Sequence, residues 1–131
     1  MKATVIVEKN PDGTYSAYME EDMPDFGLAG YGNSAKEAID DFYVAVDETA
    51  QYMRSNGKEM PELIFTFLYD LQSFFSYFSY LNISKVGEKS GISPSLMRQY
   101  ASGASKAGPK QYEKIRRTIG EMVSELSMAS I

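Results

Sequence analysis

The spacing of apolar residues changes character near residue 70. Before that point, the β-branched run KATVIVEK and the alternating run TYSAYMEE predict two strands, which the turn Asn10-Pro11-Asp12-Gly13 joins in a hairpin. The glycine-rich segment GLAGYG predicts a third short strand, and the aromatic run ELIFTFLYD predicts a fourth.

A helix is predicted between the third and fourth strands. Ser34 and Glu37 form a capping box at its start, and Asn56-Gly57 ends it. Its apolar positions recur at steps of three and four and so predict one buried stripe: Ala35, Ala38, Ile39, Phe42, Val46, Thr49 and Met53. The order β-β-β-α-β predicts a small sheet with one helix packed across a face.

After residue 70 the apolar residues follow helical spacing only, beginning with LQSFFSYFSYL. Short helices are predicted over Ile83–Lys89 and Pro94–Ala101, and a longer one over Pro109–Ser127. The predicted fold class is therefore α+β, with an α+β domain over 1–69 and an all-α domain over 70–131. Domains of about 60 residues are marginal alone, so we expect a homodimer, a higher homo-oligomer or a bound partner.

The segment KSGISPSLMRQYASG, residues 89–103, has the pattern of the turn and second helix of a helix-turn-helix. Ser93 is a natural N-cap and Pro94 a natural first-turn residue, which fixes the phase of the second helix. Met97 and Tyr100 then face inward with Val86 and Ile92. The residues predicted to contact operator DNA are Ser84, Lys85, Ser93, Ser95, Arg98, Gln99, Ser102, Lys106 and Lys110.

A net charge of -5 over the whole chain is unfavourable for DNA binding. However, residues 1–69 hold five basic and thirteen acidic residues, a net -8, whereas residues 70–131 hold eight and five, a net +3. Residues 83–118 alone reach +6. Because phosphate binding needs a local basic cluster, the acidic total does not exclude DNA. The alternative is that these side chains only solvate ordinary helix surfaces.

The chain contains neither histidine nor cysteine. This excludes disulfides, thiolate chemistry, histidine-based triads and zinc sites of the usual kind, and no cofactor or metal is predicted. No apolar run approaches the roughly 18–20 residues that span a bilayer, so we expect a cytoplasmic protein with no membrane partner. A two-metal nuclease needs converging carboxylates, but Asp40 and Asp41 are adjacent on a helix and point about 100° apart. We therefore expect binding and not enzymatic catalysis.

The run ISKVGEKSGISPSLMRQYASG, followed by KAGPKQYEKI, resembles the Xre or lambda-repressor-like helix-turn-helix over about residues 72–127. Two positions depart from that pattern. Gly87 stands where alanine is more usual, and Ile83 stands where many relatives carry a contacting glutamine. The departure at Ile83 moves the predicted contacts of the first helix to Ser84 and Lys85.

The run GYGNSAKEAIDDFYVAV, after three predicted strands, resembles the N-terminal domain of HicB antitoxins. The matching residues are Gly27, Gly30, Gly32, Ser34, Glu37 and Ala38. The resemblance implies a partial ribonuclease-H-like fold without nuclease activity, which binds and blocks a small basic HicA-like toxin that cleaves mRNA. It also implies a second, DNA-binding part that represses the operon as a dimer.

The charge of the acidic half agrees with a basic partner, because complementary charge speeds association. The candidate toxin-binding residues are Glu20, Glu21, Asp22, Asp25, Asp40, Asp41, Asp47 and Glu48. Two other functions remain open. One is a stand-alone helix-turn-helix regulator whose N-terminal domain senses a ligand or forms oligomers, and the other is a metal-dependent nuclease.

Overall fold

The computed structural model describes residues 1–131 and divides into two compact units, Met1–Tyr77 and Phe78–Ile131. The fold is mixed α+β, with a four-stranded sheet and five helices. The elements are β1 (Lys2–Lys9), β2 (Tyr15–Met19), β3 (Ala29–Gly32), α1 (Ala35–Ser55), β4 (Ile64–Tyr69), α2 (Leu71–Tyr77), α3 (Ile83–Ser90), α4 (Pro94–Ser102) and α5 (Pro109–Ser127). None of the helices is both long and apolar enough to cross a membrane.

The division falls after α2, whereas the change of pattern in the sequence falls before it. Helix α2 contacts α1, β1 and β4, and its residues Leu71 and Phe75 are buried. The switch from strand to helix spacing near residue 70 therefore marks a change in secondary structure and not the limit of the first unit.

The sheet has the strand order β3-β2-β1-β4. Strands β1 and β2 pair antiparallel through the predicted turn, in which the Asn10 N–H donates to the Thr14 carbonyl at 2.7 Å and Gly13 has φ +89°. Strand β4 pairs parallel to β1. A parallel pair needs a crossover, and α1 is part of the connection from β3 to β4.

Helix α1 packs on one face of this sheet through most of the predicted stripe. Phe42 is fully buried against a core that includes Val5, Val7 and Ala17. Gly30 permits the close approach, because a Cβ there would lie 2.6 Å from the Phe42 Cα. The stripe weakens toward the end of the helix, where Val46 and Thr49 are only half-buried.

The start of α1 differs slightly from the predicted capping box. The Glu37 N–H donates to the Ser34 hydroxyl at 3.1 Å, as predicted. The Glu37 carboxylate instead accepts the N–H of Asn33 at 2.6 Å, one residue earlier than in a capping box. Both bonds still satisfy amides at the helix start. The helix ends where predicted, with Gly57 in the left-handed region at φ +73°.

The second unit contains α3, α4 and α5. Gly91, at φ +75°, ends α3, and the Ser93 hydroxyl caps α4 by accepting the Leu96 N–H at 3.2 Å. The predicted inward residues Val86, Ile92, Met97 and Tyr100 are all buried.

Gly87 lies at a close approach between α3 and α4. A Cβ at this position would lie 3.1 Å from both the Met97 Cβ and the Ile92 carbonyl oxygen. Helices α3 and α4 are therefore close at this point, and the unbranched backbone of glycine leaves room for the methionine side chain.

The buried residues of helix α5 lie in its first half. Ile115 and Thr118 are buried, and the Ser90 hydroxyl donates to the Thr118 hydroxyl at 2.8 Å. Farther along α5, Val123 and Leu126 are 61% and 69% exposed.

Candidate functional site

The polar residues of α4 lie outside the core of the second unit. Ser95, Arg98 and Gln99 are exposed, while Met97 and Tyr100 on the same helix are buried. The N-cap at Ser93 sets this phase, since it fixes where the first helical turn begins. The helix thus presents a polar side to solvent at the positions predicted from its sequence.

Arg98 is held by the preceding helix. Its guanidinium donates to the hydroxyl of Ser84, on α3, at 3.2 Å. Ser84, a predicted DNA contact, is half-buried, and its hydroxyl orients Arg98 through this hydrogen bond. A guanidinium held in this way keeps further N–H groups for a base or a phosphate.

Gln99 is also oriented, by the segment that follows α4. Its side-chain oxygen accepts a hydrogen bond from the Ser105 hydroxyl at 2.7 Å, and its backbone oxygen accepts one from the Ser102 hydroxyl at 3.2 Å. The amide nitrogen of Gln99 is left to donate to an acceptor such as purine N7. Bidentate reading of adenine would require Ser105 to release the side-chain oxygen.

The basic residues of the second unit are exposed and outnumber its acidic residues. The unit has eight basic and four acidic residues, a net +4. Lys85 pairs with Glu88 at 3.2 Å and Arg116 with Glu113 at 2.6 Å. The predicted linker contacts, Lys106 and Lys110, are exposed and form no ion pair. The unit can therefore attract a phosphate backbone.

Half of the candidate acidic residues of the first unit are bonded within the chain. Both carboxylate oxygens of Glu21 accept the Thr4 N–H, at 2.7 and 2.8 Å. Asp41 accepts the Tyr31 N–H at 2.9 Å. Asp25 pairs with Lys58, and Asp40 with Lys36. These contacts give Glu21 and Asp41 a structural role in the sheet.

The other acidic candidates remain exposed and unpaired: Glu20, Asp22, Asp47 and Glu48. Asp47 and Glu48 lie on α1, where Val44 and Tyr52 are also exposed. No three of the acidic residues form a cluster that could hold a metal ion.

Two features of the first unit were not predicted from the sequence. One is a cleft of about 380 Å³ lined by Asp25, Tyr52, Met53, Asn56 and Lys58. The other is a group of exposed apolar side chains on the sheet, including Ile64 and Leu68. The signal for the second was present in IFTFLY, where apolar residues occupy both sets of alternating positions.

Comparison with known proteins gives no match, either to a family model, to a curated protein or to a solved structure. We therefore infer the function of this chain from its own residues and from the resemblance of its motifs.

Proposed function

We propose that this chain is an antitoxin of a HicA/HicB-like toxin-antitoxin system. In this proposal the second unit is a helix-turn-helix domain that binds operator DNA and represses the chain's own operon. The first unit, as a partial ribonuclease-H-like domain, binds and neutralises a small basic toxin that cleaves mRNA.

The observation that carries the DNA-binding half is the arrangement of Arg98 and Gln99. Both are exposed on α4, both are oriented by hydroxyl groups, and α4 is fixed against α3 at Gly87. A short helix with a defined phase and two oriented polar side chains suits insertion into the major groove. Ser95, Lys106 and Lys110 would extend the contacts to groove walls and phosphates.

The charge of the first unit supports a basic partner. It holds five basic and fourteen acidic residues, a net -9. A surface of that charge repels nucleic acid and attracts a protein that itself binds RNA. The exposed Val123 and Leu126 on α5 support assembly as a homodimer, which would place two copies of α4 on a two-fold operator.

Co-expression with the reading frame adjacent to this gene tests the antitoxin function. If the adjacent product is a small basic toxin, its expression alone should arrest growth, and the present chain should restore growth and co-purify with it. Growth arrest without rescue, or rescue without co-purification, would contradict direct neutralisation.

A second candidate function is a stand-alone regulator with a ligand-sensing first unit. The cleft lined by Tyr52 and Lys58 is the observation that favours it. The two functions separate in one assay, because a ligand sensor should repress its operon without any product of the adjacent reading frame affecting its DNA affinity.

A further inference from the structure

The face of the sheet opposite α1 carries a continuous apolar row. In the strand register, Tyr18 on β2 pairs with Ala29 on β3 and with Ile6 on β1, and Ile6 pairs with Leu68 on β4. Residues paired across strands project to the same face. The row therefore crosses all four strands, on the side that Val5 and Val7 do not occupy.

This row and its neighbours are exposed to solvent. Leu68 is 56% exposed, Ile64 on the same strand 60% and Tyr31 on β3 65%, while Ile6 is half-buried. A sheet with one solvated face usually carries polar residues there. We call the five residues Ile6, Tyr18, Tyr31, Ile64 and Leu68 the open sheet face. Leu68, Ile6 and Tyr18 form an exposed apolar row of the kind that is typical of an interaction site, and the pair Thr4 and Thr66 separates Ile64 from it.

The charges around the open sheet face are mainly negative. Burial raises the pKa of Tyr18 above its ordinary value, and the carboxylates of Glu8 and Glu20 raise it further. Both carboxylates therefore place negative charge beside Tyr18, at the centre of the apolar row. Lys2, which pairs in register with Ile64, is the one cation at the positions of this face.

We propose that the open sheet face is the docking surface for a basic protein partner, which presents an apolar strip flanked by lysine or arginine. The proposal rests on the proposed function, in which that partner is the toxin. It locates the binding surface on the sheet, beside the predicted carboxylate Glu20 and on the face opposite the predicted carboxylates of α1.

The charge around the open sheet face favours a basic protein over a second copy of the chain or a nucleic acid. A second copy of this face would bring its own Glu8 and Glu20 against those of the first, so self-association is opposed by like charges. A nucleic acid would meet the same carboxylates on a unit of net -9. A basic protein gains from both the apolar row and the acidic residues beside it.

Two surfaces of the first unit should affect partner binding in different ways. Apolar and aromatic residues at the centre of an interface provide most of the binding energy, whereas outlying charges mainly speed association. Leu68 and Tyr18 should therefore control the dissociation rate of the partner. Asp47 and Glu48 on α1 should affect its association rate and the dependence of that rate on salt.

A matched pair of substitutions tests the location. Leu68→Asp and Val44→Asp each add one carboxylate at an exposed apolar position of the same unit, with exposures of 56% and 51%. Binding is measured by surface plasmon resonance to the protein encoded in the adjacent reading frame. Leu68→Asp should weaken binding by about 30-fold, mainly through faster dissociation, and Val44→Asp by no more than about twofold.

Equal effects of the two substitutions would overturn the docking site while leaving the proposed function intact. If the wild-type chain does not bind the adjacent product, the proposed function fails instead. Sedimentation of the chain alone tests whether a second copy occupies this face. If the wild-type chain is a dimer and Leu68→Asp is a monomer, the open sheet face is a self-interface and the proposal is contradicted. Unchanged thermal unfolding shows that each variant folds.

A synthetic peptide of alternating leucine and lysine tests the surface without the toxin. In an NMR titration of the full chain at physiological salt, the peptide should shift the resonances of Ile6, Tyr18 and Leu68, and Leu68→Asp should abolish those shifts. Shifts confined to Asp47, Glu48 and Tyr52 on α1 would show that the acidic helix is the docking surface and would overturn the inference.

Discussion

The two units of this chain share a packing feature but differ in the charge and polarity of their surfaces. In each, a glycine admits a close neighbour, Gly30 against Phe42 in the first unit and Gly87 against Met97 in the second. The first unit has a net charge of -9 and leaves apolar residues exposed on its sheet, whereas the second has +4 and exposes polar residues on α4. The total of -5 therefore describes neither surface that a partner would meet.

The largest expected effect is a loss of stability in the first unit alone. Gly30→Ala places a Cβ against the backbone of Ala38 and Phe42, which cannot move without shifting α1 from the sheet. Overpacking of this kind should destabilise the first unit by about 3 kcal/mol. Urea unfolding followed by circular dichroism measures the loss. Partner binding should fail while binding to operator DNA persists.

Gly27→Ala is the matched control, because a Cβ at Gly27 has no neighbour within 4 Å. Its unfolding midpoint should stay close to that of the wild-type chain. If Gly30→Ala abolished DNA binding as well, the two units would not be separable in function.

The next effect concerns the second unit. Arg98→Ala and Gln99→Ala each remove an oriented donor from α4 and should weaken binding to the upstream DNA by about tenfold to a hundredfold. Fluorescence anisotropy with a labelled duplex measures the affinity. Asp40→Ala, on the solvent side of α1, should leave that affinity unchanged. Equal losses from Arg98→Ala and Asp40→Ala would show that α4 is not the surface that reads DNA.

A smaller effect separates phosphate contacts from base contacts. Lys106→Ala removes an exposed cation without an ion-pair partner, so it should weaken binding to operator and scrambled duplexes alike. The slope of log affinity against log salt concentration should fall in magnitude by about 1. Loss of affinity for the operator alone would mean that Lys106 contacts a base.

The smallest effect is a pH dependence in the first unit. Burial raises the pKa of Tyr69 to about 12, with Tyr77 and Tyr43 contributing, from an ordinary value of 10.0. The folded state thus favours the neutral phenol, and its contribution to stability is complete below pH 10 and is lost as the pH rises to about 12. The midpoint temperature of thermal unfolding should fall less steeply from pH 9 to 12 in Tyr69→Phe than in the wild-type chain. Parallel curves would contradict this role of Tyr69.

Much of the fold follows from local sequence signals. The bounds of α5 are those predicted, and the turn at Asn10–Gly13, the cap at Ser34 and the inward residues Met97 and Tyr100 are confirmed. These features depend on neighbouring residues and on periodicity, which a sequence displays directly.

Features that depend on contacts between distant residues were not predictable in the same way. The sequence predicts Glu21 as a toxin-binding carboxylate, and only the structure shows that it accepts the Thr4 N–H, seventeen residues earlier in the chain. The placement of α2 in the first unit depends likewise on its contacts with β1 and β4. For the candidate site, the sequence predicted which α4 residues are exposed, but the hydroxyl groups that orient Arg98 and Gln99 required the structure.

DNA binding by the 131-residue chain is the decisive measurement for the proposed helix-turn-helix domain. Anisotropy titrations with its own upstream DNA and with a scrambled duplex, between about 50 and 200 mM salt, compare specific and non-specific affinity. We predict binding that weakens steeply with salt and favours the upstream sequence by at least about 100-fold despite the net charge of -5. Absence of binding at the lowest salt, or equal affinity for both duplexes, would contradict sequence-specific DNA binding by the second unit.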